Sequence, residues 1–109
     1  IMLCADESCL DTSELAQTAK RYQMVNIKLD KTGGLTEALK LVQQARDKGI
    51  RSMIGNMTGT SLAMAPAYVV AQLCDFVDLD GALLLAADRS HPMSYQQGIV
   101  SGLTSQLWG

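Results

Sequence analysis

Four short apolar runs recur along the chain, each closed by a polar or charged residue, with helical patterns between them. The runs are Ile1–Ala5, Met24–Leu29, Ser52–Ile54 and Phe76–Leu79, and they end near Asp6, Lys28, Asn56 and Asp78, a repeat of 22 to 28 residues. Strand, helix, strand, helix, strand, helix, strand at this spacing predicts an α/β fold with a parallel sheet covered by helices. A complete (β/α) barrel takes about 250 residues, and the chain has 109. Four parallel strands alone leave two unprotected sheet edges. The opening run Ile1–Ala5 reads as a buried strand joined in mid-fold. Part of a TIM-like barrel, with about four parallel strands, is therefore expected over a small open α/β domain.

The helical segments have their own marks. Asp11 with Glu14 three residues on resembles a capping box and predicts a helix to about Tyr22, with Leu15, Ala19 and Tyr22 on one face. Leu35, Ala38, Leu39, Val42 and Ala45 form one apolar stripe, and Gly49 is placed to end that helix. Ser61 is expected to cap a helix from Leu62 to Leu73, with Pro66 either in its first turn or kinking it. The tail from Ala82 to Gly109 is mixed and predicts no particular element.

Composition excludes several classes of function. Nine basic residues against eleven acidic ones, net charge −2, leave no excess to hold a phosphate backbone. Aromatic residues are 5% of the chain, too few for base-stacking platforms, so no nucleic-acid partner is expected. The longest uncharged stretch, Ser52 to Cys74, has 23 residues, which by length alone spans a bilayer. It contains Gly55, Asn56, Thr58, Gly59, Thr60, Ser61 and Pro66, which suit a strand, a loop and a buried helix rather than lipid. The start lacks the basic and apolar regions of a signal peptide. Cys4, Cys9 and Cys74 are odd in number and form no CxxC pair, which fits a reducing cytoplasm.

Functional groups of α/β folds gather at the carboxyl ends of strands. Those ends carry Asp6-Glu7, Lys28 with Asp30, Asn56 with Met57, and Asp78 with Asp80. One charged residue beside a loop is usually only solvated. Charges at three of four successive ends, one of them a lysine inside an otherwise apolar strand, predict a shared rim. Lys31, three residues on from Lys28, is a candidate second cation near the site, but a loop lysine with its charge in water is the favoured reading. His91 reads as a surface residue before Pro92. Cys4 and Cys9 read as buried small hydrophobes, and Met53, Met57 and Met64 as core filler, with lining of the pocket as the alternative for Met57. No GxGxxG or P-loop is present.

Ala5-Asp6-Glu7-Ser8 followed by Asn26-Ile27-Lys28-Leu29-Asp30-Lys31-Thr32-Gly33-Gly34 closely resembles the C-terminal barrel region of the enolase superfamily, in its muconate-lactonising group. Ile54-Gly55-Asn56-Met57 and Asp78-Leu79-Asp80-Gly81 resemble the dipeptide epimerases within that group. The likeness runs from Leu3 to about Arg89, with Ala82 standing where relatives often have proline.

The resemblance implies a 1,1-proton transfer at the carbon α to a carboxylate, through an enediolate stabilised by Mg²⁺. Asp6 matches the last of three acidic metal ligands, an oxygen donor of the kind a hard cation takes. Lys28 matches one acid/base lysine, its partner being the second lysine of a K-x-K motif on an earlier strand. A lysine is a poor base at neutral pH unless burial or a nearby cation lowers its pKa, and both are expected at such a rim. Asp78 and Asp80 match a motif that binds the α-ammonium of a dipeptide. Two residues apart on an extended segment, both carboxylates can face one side.

The K-x-K lysine, the other two ligands and the family's capping domain are expected upstream of Ile1. Residues 1–109 are thus expected to be the C-terminal portion of a larger cytoplasmic, homo-oligomeric isomerase that acts on a small dipeptide, touches no membrane and is inactive as 109 residues alone. Muconate cycloisomerase and o-succinylbenzoate synthase share the metal and lysine frame, but their substrates carry no ammonium for Asp78-x-Asp80. A rival from another class is a non-catalytic half-barrel that self-associates through its open edges. Upstream sequence containing K-x-K and two strand-end acids would separate these.

Overall fold

The computed structural model describes all 109 residues. Four parallel strands form one sheet in chain order: β1 (Cys4–Ala5), β2 (Met24–Ile27), β3 (Arg51–Ile54) and β4 (Phe76–Val77). The expected parallel sheet is present. Between the strands lie α1 (Leu15–Thr18), α2 (Leu29–Thr32), α3 (Leu35–Asp47) and α4 (Ser61–Ala71). After β4 come a 3₁₀ turn (Gly81–Leu84), a hairpin of β5 (Tyr95–Gln96) and β6 (Ile99–Val100), and α5 (Ser105–Trp108).

Alternation along the strands sorts their side chains onto two faces. Ala5, Val25, Ile27, Ser52 and Ile54 are buried beneath the helices, where Leu15, Ala38, Leu41, Val42, Ala45 and Val70 complete the core. Cys4, Met24, Asn26 and Met53 belong to the opposite face, which carries the register row Asn26–Met53–Phe76. No helix is long and apolar enough to cross a membrane. The uncharged stretch is instead β3, a loop and α4, as expected.

Several local expectations differ from the structure. The first helix is one turn, Leu15–Thr18, rather than a run to Tyr22. Glu14 reaches back to the Leu10 N–H at 2.6 Å, while the Asp11 carboxylate accepts from the Ser13 N–H at 2.8 Å, an Asx turn that spends the chain before the helix begins. Leu29 opens α2 rather than ending β2, because the chain turns at Lys28.

Ser61 does not cap α4. It is the first helical residue after Thr60, and its N–H donates to Asp88 Oδ1 at 3.0 Å. The Ser61 hydroxyl donates to Asp88 Oδ2 and accepts from the Met93 N–H at 3.0 Å. A carboxylate from the tail therefore satisfies the first orphan N–H of the helix and meets the positive end of its dipole. Pro66 lies in the second turn and the helix runs unbroken past it. The tail hairpin turns through Gln97 and Gly98, both at positive φ (51° and 78°), the backbone of a type I′ turn.

Candidate active site at the strand ends

Asp6, Lys28, Asn56 and Asp78 stand at or just beyond the carboxyl ends of four adjacent parallel strands, on one rim. Ladder bonds carry the register past the strands: the Gly55 N–H donates to Ile27 O at 2.8 Å and the Asp78 N–H to Ile54 O at 2.9 Å. Lys28, Gly55 and Asp78 thus form the next row above Asn26, Met53 and Phe76. A Cβ at Gly55 would lie 2.6 Å from Asn26 Oδ1, so only glycine fits between the Asn26 carboxamide and its neighbours. Asn26 Oδ1 itself is buried with no hydrogen-bond partner.

Lys28 Nζ donates to Asp6 Oδ2 at 2.9 Å and to Glu7 Oε1 at 3.5 Å. The Asp6 hydrogen bond is the main reason the Lys28 pKa lies above its ordinary value; burial opposes it, and the charges of Asp6 and Glu7 add to the rise. The direction is the reverse of the depression expected at a rim near a cation, because the group facing Nζ is the Asp6 carboxylate. Burial raises the Asp6 pKa, but hydrogen bonds from Lys28 and Lys31 outweigh it and hold the carboxyl below its ordinary value.

Lys31 is not a solvated loop lysine. Its side chain is 4% exposed, and Nζ donates to Asp6 Oδ1 at 3.0 Å, to the Asp6 main-chain oxygen and to Asn26 O at 2.9 Å. The sequence offered Lys31 only as the less favoured second cation, because two of its three acceptors are main-chain carbonyls with no sequence mark. Its spacing from Lys28 was the only available signal: three residues across the turn into α2 bring both ammonium groups back to Asp6.

At the other end of the rim, Asn56 Nδ2 donates to Asp78 O at 2.6 Å and ties the end of β3 to the segment after β4. Asp78 and Asp80 are both exposed, two residues apart just after β4, and both line one cavity beside it. Burial, then the charge of Asp80, raise the Asp78 pKa, while the Lys28 ammonium pulls the other way. Two carboxylates on one cavity wall, each felt by the other, make a negatively charged surface suited to an ammonium ion. His91 is exposed and apart from the site, and Cys9 is buried in the core.

The donor set on the rim fits a hard divalent cation in part. Asp6 contributes oxygen atoms on a side chain 44% exposed, with Lys28 as the partner of its Oδ2. No three His, Cys, Asp or Glu side chains converge within the chain.

Residues 1–100 match the family model described as enolase C-terminal domain-like. The N-acetyl-D-glutamate racemase of a Pseudoalteromonas species is 53% identical over 109 residues, covering 100% of this chain and 35% of the relative. The L-Ala-D/L-Glu epimerase of Escherichia coli K12 is 48% identical over 96 residues, covering 88% of this chain and 30% of the enzyme. An enolase family member from Agrobacterium tumefaciens with homology to dipeptide epimerases, solved with sodium and L-Ala-L-Glu bound, superposes with a TM-score of 0.96 at 51% identity, covering 100% of this chain and 33% of that one. The chain spans about a third of the length of these relatives. The chain belongs to the enolase C-terminal domain-like family.

Proposed function

We propose that residues 1–109 are the C-terminal portion of a Mg²⁺-dependent epimerase that inverts the α-carbon of the second residue of a small dipeptide. The observation that carries this reading is the order along one rim: a carboxylate at Asp6, an ammonium at Lys28 and a paired acidic site at Asp78 and Asp80. Similarity to epimerases and racemases of glutamate derivatives supports it.

Lys28 is the proposed base and acid on one face of the substrate. Its ε-amine takes the α-proton, and the bond electrons pass into the neighbouring carboxylate; a proton delivered to the opposite face completes the inversion. Asp6 is a proposed Mg²⁺ ligand. Mg²⁺, when bound, supplies positive charge that stabilises negative charge developing on the substrate carboxylate. Asp78 and Asp80 hold the substrate ammonium and orient the dipeptide against Lys28.

A second reading rests on the relative named for N-acetyl-D-glutamate. An acetylated nitrogen carries no ammonium, so that substrate would leave the Asp78–Asp80 pair without a partner. L-Ala-L-Glu and N-acetylglutamate share the acylated glutamate; the dipeptide's acyl group has one more carbon, which bears the ammonium.

The test uses the full-length protein with Mg²⁺ in D₂O, offered L-Ala-L-Glu and N-acetyl-L-glutamate separately. The dipeptide reading expects the larger kcat/KM on L-Ala-L-Glu. Preference for N-acetylglutamate moves the racemase reading ahead, and no α-proton exchange on either substrate overturns both. Lys28→Ala should abolish inversion while Mg²⁺ binding persists, and one stereoisomer should still exchange its α-proton through the opposed base. Near-normal epimerisation by Lys28→Ala would remove Lys28 from the mechanism.

A further inference from the structure

We propose that Lys31 is a positioning residue that fixes the Asp6 carboxylate for cation binding, an inference that rests on the reading of Asp6 as a metal ligand. A lysine ammonium has three protons and accepts nothing. Lys31 places all three, on Asp6 Oδ1, on Asp6 O and on Asn26 O. Two of those acceptors belong to the same residue. Gripping Asp6 by its main chain and its side chain together removes the rotation that a rim carboxylate would otherwise keep.

The third acceptor links the two strands. β1 and β2 pair only from Cys4–Met24 to Ala5–Val25, and Asp6 lies just past the last pair. Lys31 bridges Asp6 O to Asn26 O at the level where the ladder has stopped, holding the end of β1 against β2. The ammonium is nearly closed off from water, so it must be saturated to be tolerated there, and it is.

The two lysines divide the carboxylate between them. Lys31 holds Oδ1 from a buried position; Lys28 holds Oδ2 with a side chain 12% exposed and a looser second bond to Glu7. Oδ2 is thus the oxygen that a cation can reach, and Lys28 the lysine that can leave it. Lys31 touches no reacting atom and acts only through Asp6.

Two effects of Lys31 on a bound cation oppose each other. Its charge repels Mg²⁺, whereas its hydrogen bonds preorganise the ligand. The geometry points to preorganisation as the larger, since three short, saturated bonds in a buried place serve no purpose as charge alone. Partners that orient metal ligands are worth about 10–100-fold in affinity or activity when removed.

The experiment compares full-length wild type, Lys31→Met and Lys31→Arg by Mg²⁺ titration calorimetry in the absence of substrate, and then by epimerisation kinetics at saturating Mg²⁺. Lys31→Met should weaken Mg²⁺ binding by about tenfold or more and lower kcat with little change in dipeptide KM. Lys31→Arg, which keeps the charge and part of the donor set, should fall between the two. Unchanged or tighter Mg²⁺ binding in Lys31→Met overturns the proposal, the second because it would make Lys31 a repelling charge. If Lys31→Met does not fold, Lys31→Arg decides: weakened Mg²⁺ binding supports the proposal and wild-type binding overturns it. Wild type that neither binds Mg²⁺ nor epimerises overturns the functional reading and this inference together, whereas an active wild type matched by Lys31→Met overturns this inference alone.

Discussion

Gly81 and Asn56 occupy the same corner of the rim: a methyl group on Gly81 would overlap the Asn56 carboxamide oxygen and come within 2.7 Å of the Met57 carbonyl. The nitrogen of that carboxamide donates to Asp78 O. Asn56 is thereby trapped between the residue that follows Asp80 and the backbone of Asp78, and its orientation is linked to that of the acidic pair. Gly81→Ala must push on a main-chain carbonyl, which has nowhere to go. It should destabilise the fold by about 1–3 kcal/mol, the range for overpacking a filled site, as read by denaturant melts.

Asn56→Ala removes the strut without adding bulk. One hydrogen bond is worth about 1 kcal/mol net, so dipeptide KM should rise by about fivefold with kcat nearly kept. Unchanged KM would mean that the Asp78–Asp80 segment holds its shape unaided.

Acid should undo the link between the tail and α4. Burial raises the Asp88 pKa, but hydrogen bonds from the Ser61 hydroxyl, the Ser61 N–H and the Arg89 N–H outweigh it, so the folded value lies below the ordinary one. A carboxylate with a depressed folded pKa contributes stability above its unfolded value, about 3.9, and loses it as pH falls through the folded value. Asp88→Asn should therefore melt below wild type at pH 7, and the gap should close towards pH 3. A gap that stays constant with pH would mean that packing, not the charge, holds the tail.

The apolar stripe of α3 was legible in sequence, yet it leaves out a fully buried leucine. Leu39 fits the stripe and is half-buried; Leu41, outside it, is fully buried in the core. Leu41→Ala should cost about 2–5 kcal/mol, in the usual range for a core leucine, and Leu39→Ala less, by urea denaturation. Equal costs would mean that the stripe, rather than burial, sets the energetics.

The strand order and the rim could be read from sequence because both depend on local pattern: apolar runs at a fixed spacing with polar residues at their ends. Features set by distant partners could not. Lys31 looks like any loop lysine until two strand-end carbonyls are brought beside it, and Ser61 looks like a cap until Asp88 arrives from 27 residues away. Thr12 finds Glu37 in the same way, across 25 residues. The tail hairpin did carry a mark, Gln97-Gly98 between short apolar stretches, but glutamine is a weaker turn residue than asparagine or aspartate at a position needing positive φ.

Asp80→Ala separates the substrate classes. The proposed pocket binds an ammonium through the joint charge of Asp78 and Asp80, which stands in both the ground state and the transition state. Its loss should therefore fall on KM for L-Ala-L-Glu, with kcat largely kept. A charge-assisted hydrogen bond is worth about 1.5–3 kcal/mol, which corresponds to a rise of about 10- to 150-fold in KM. N-acetyl-L-glutamate, lacking the ammonium, should be turned over by Asp80→Ala as by wild type, or better, because a carboxylate facing its acetyl group has gone. Removing Asp80 also relieves Asp78 of a like charge, so the Asp78 pKa should drop back towards its ordinary value; burial still holds it up. If dipeptide KM is unchanged in Asp80→Ala, the ammonium pocket lies elsewhere and the acylated-glutamate racemase becomes the better reading of the site.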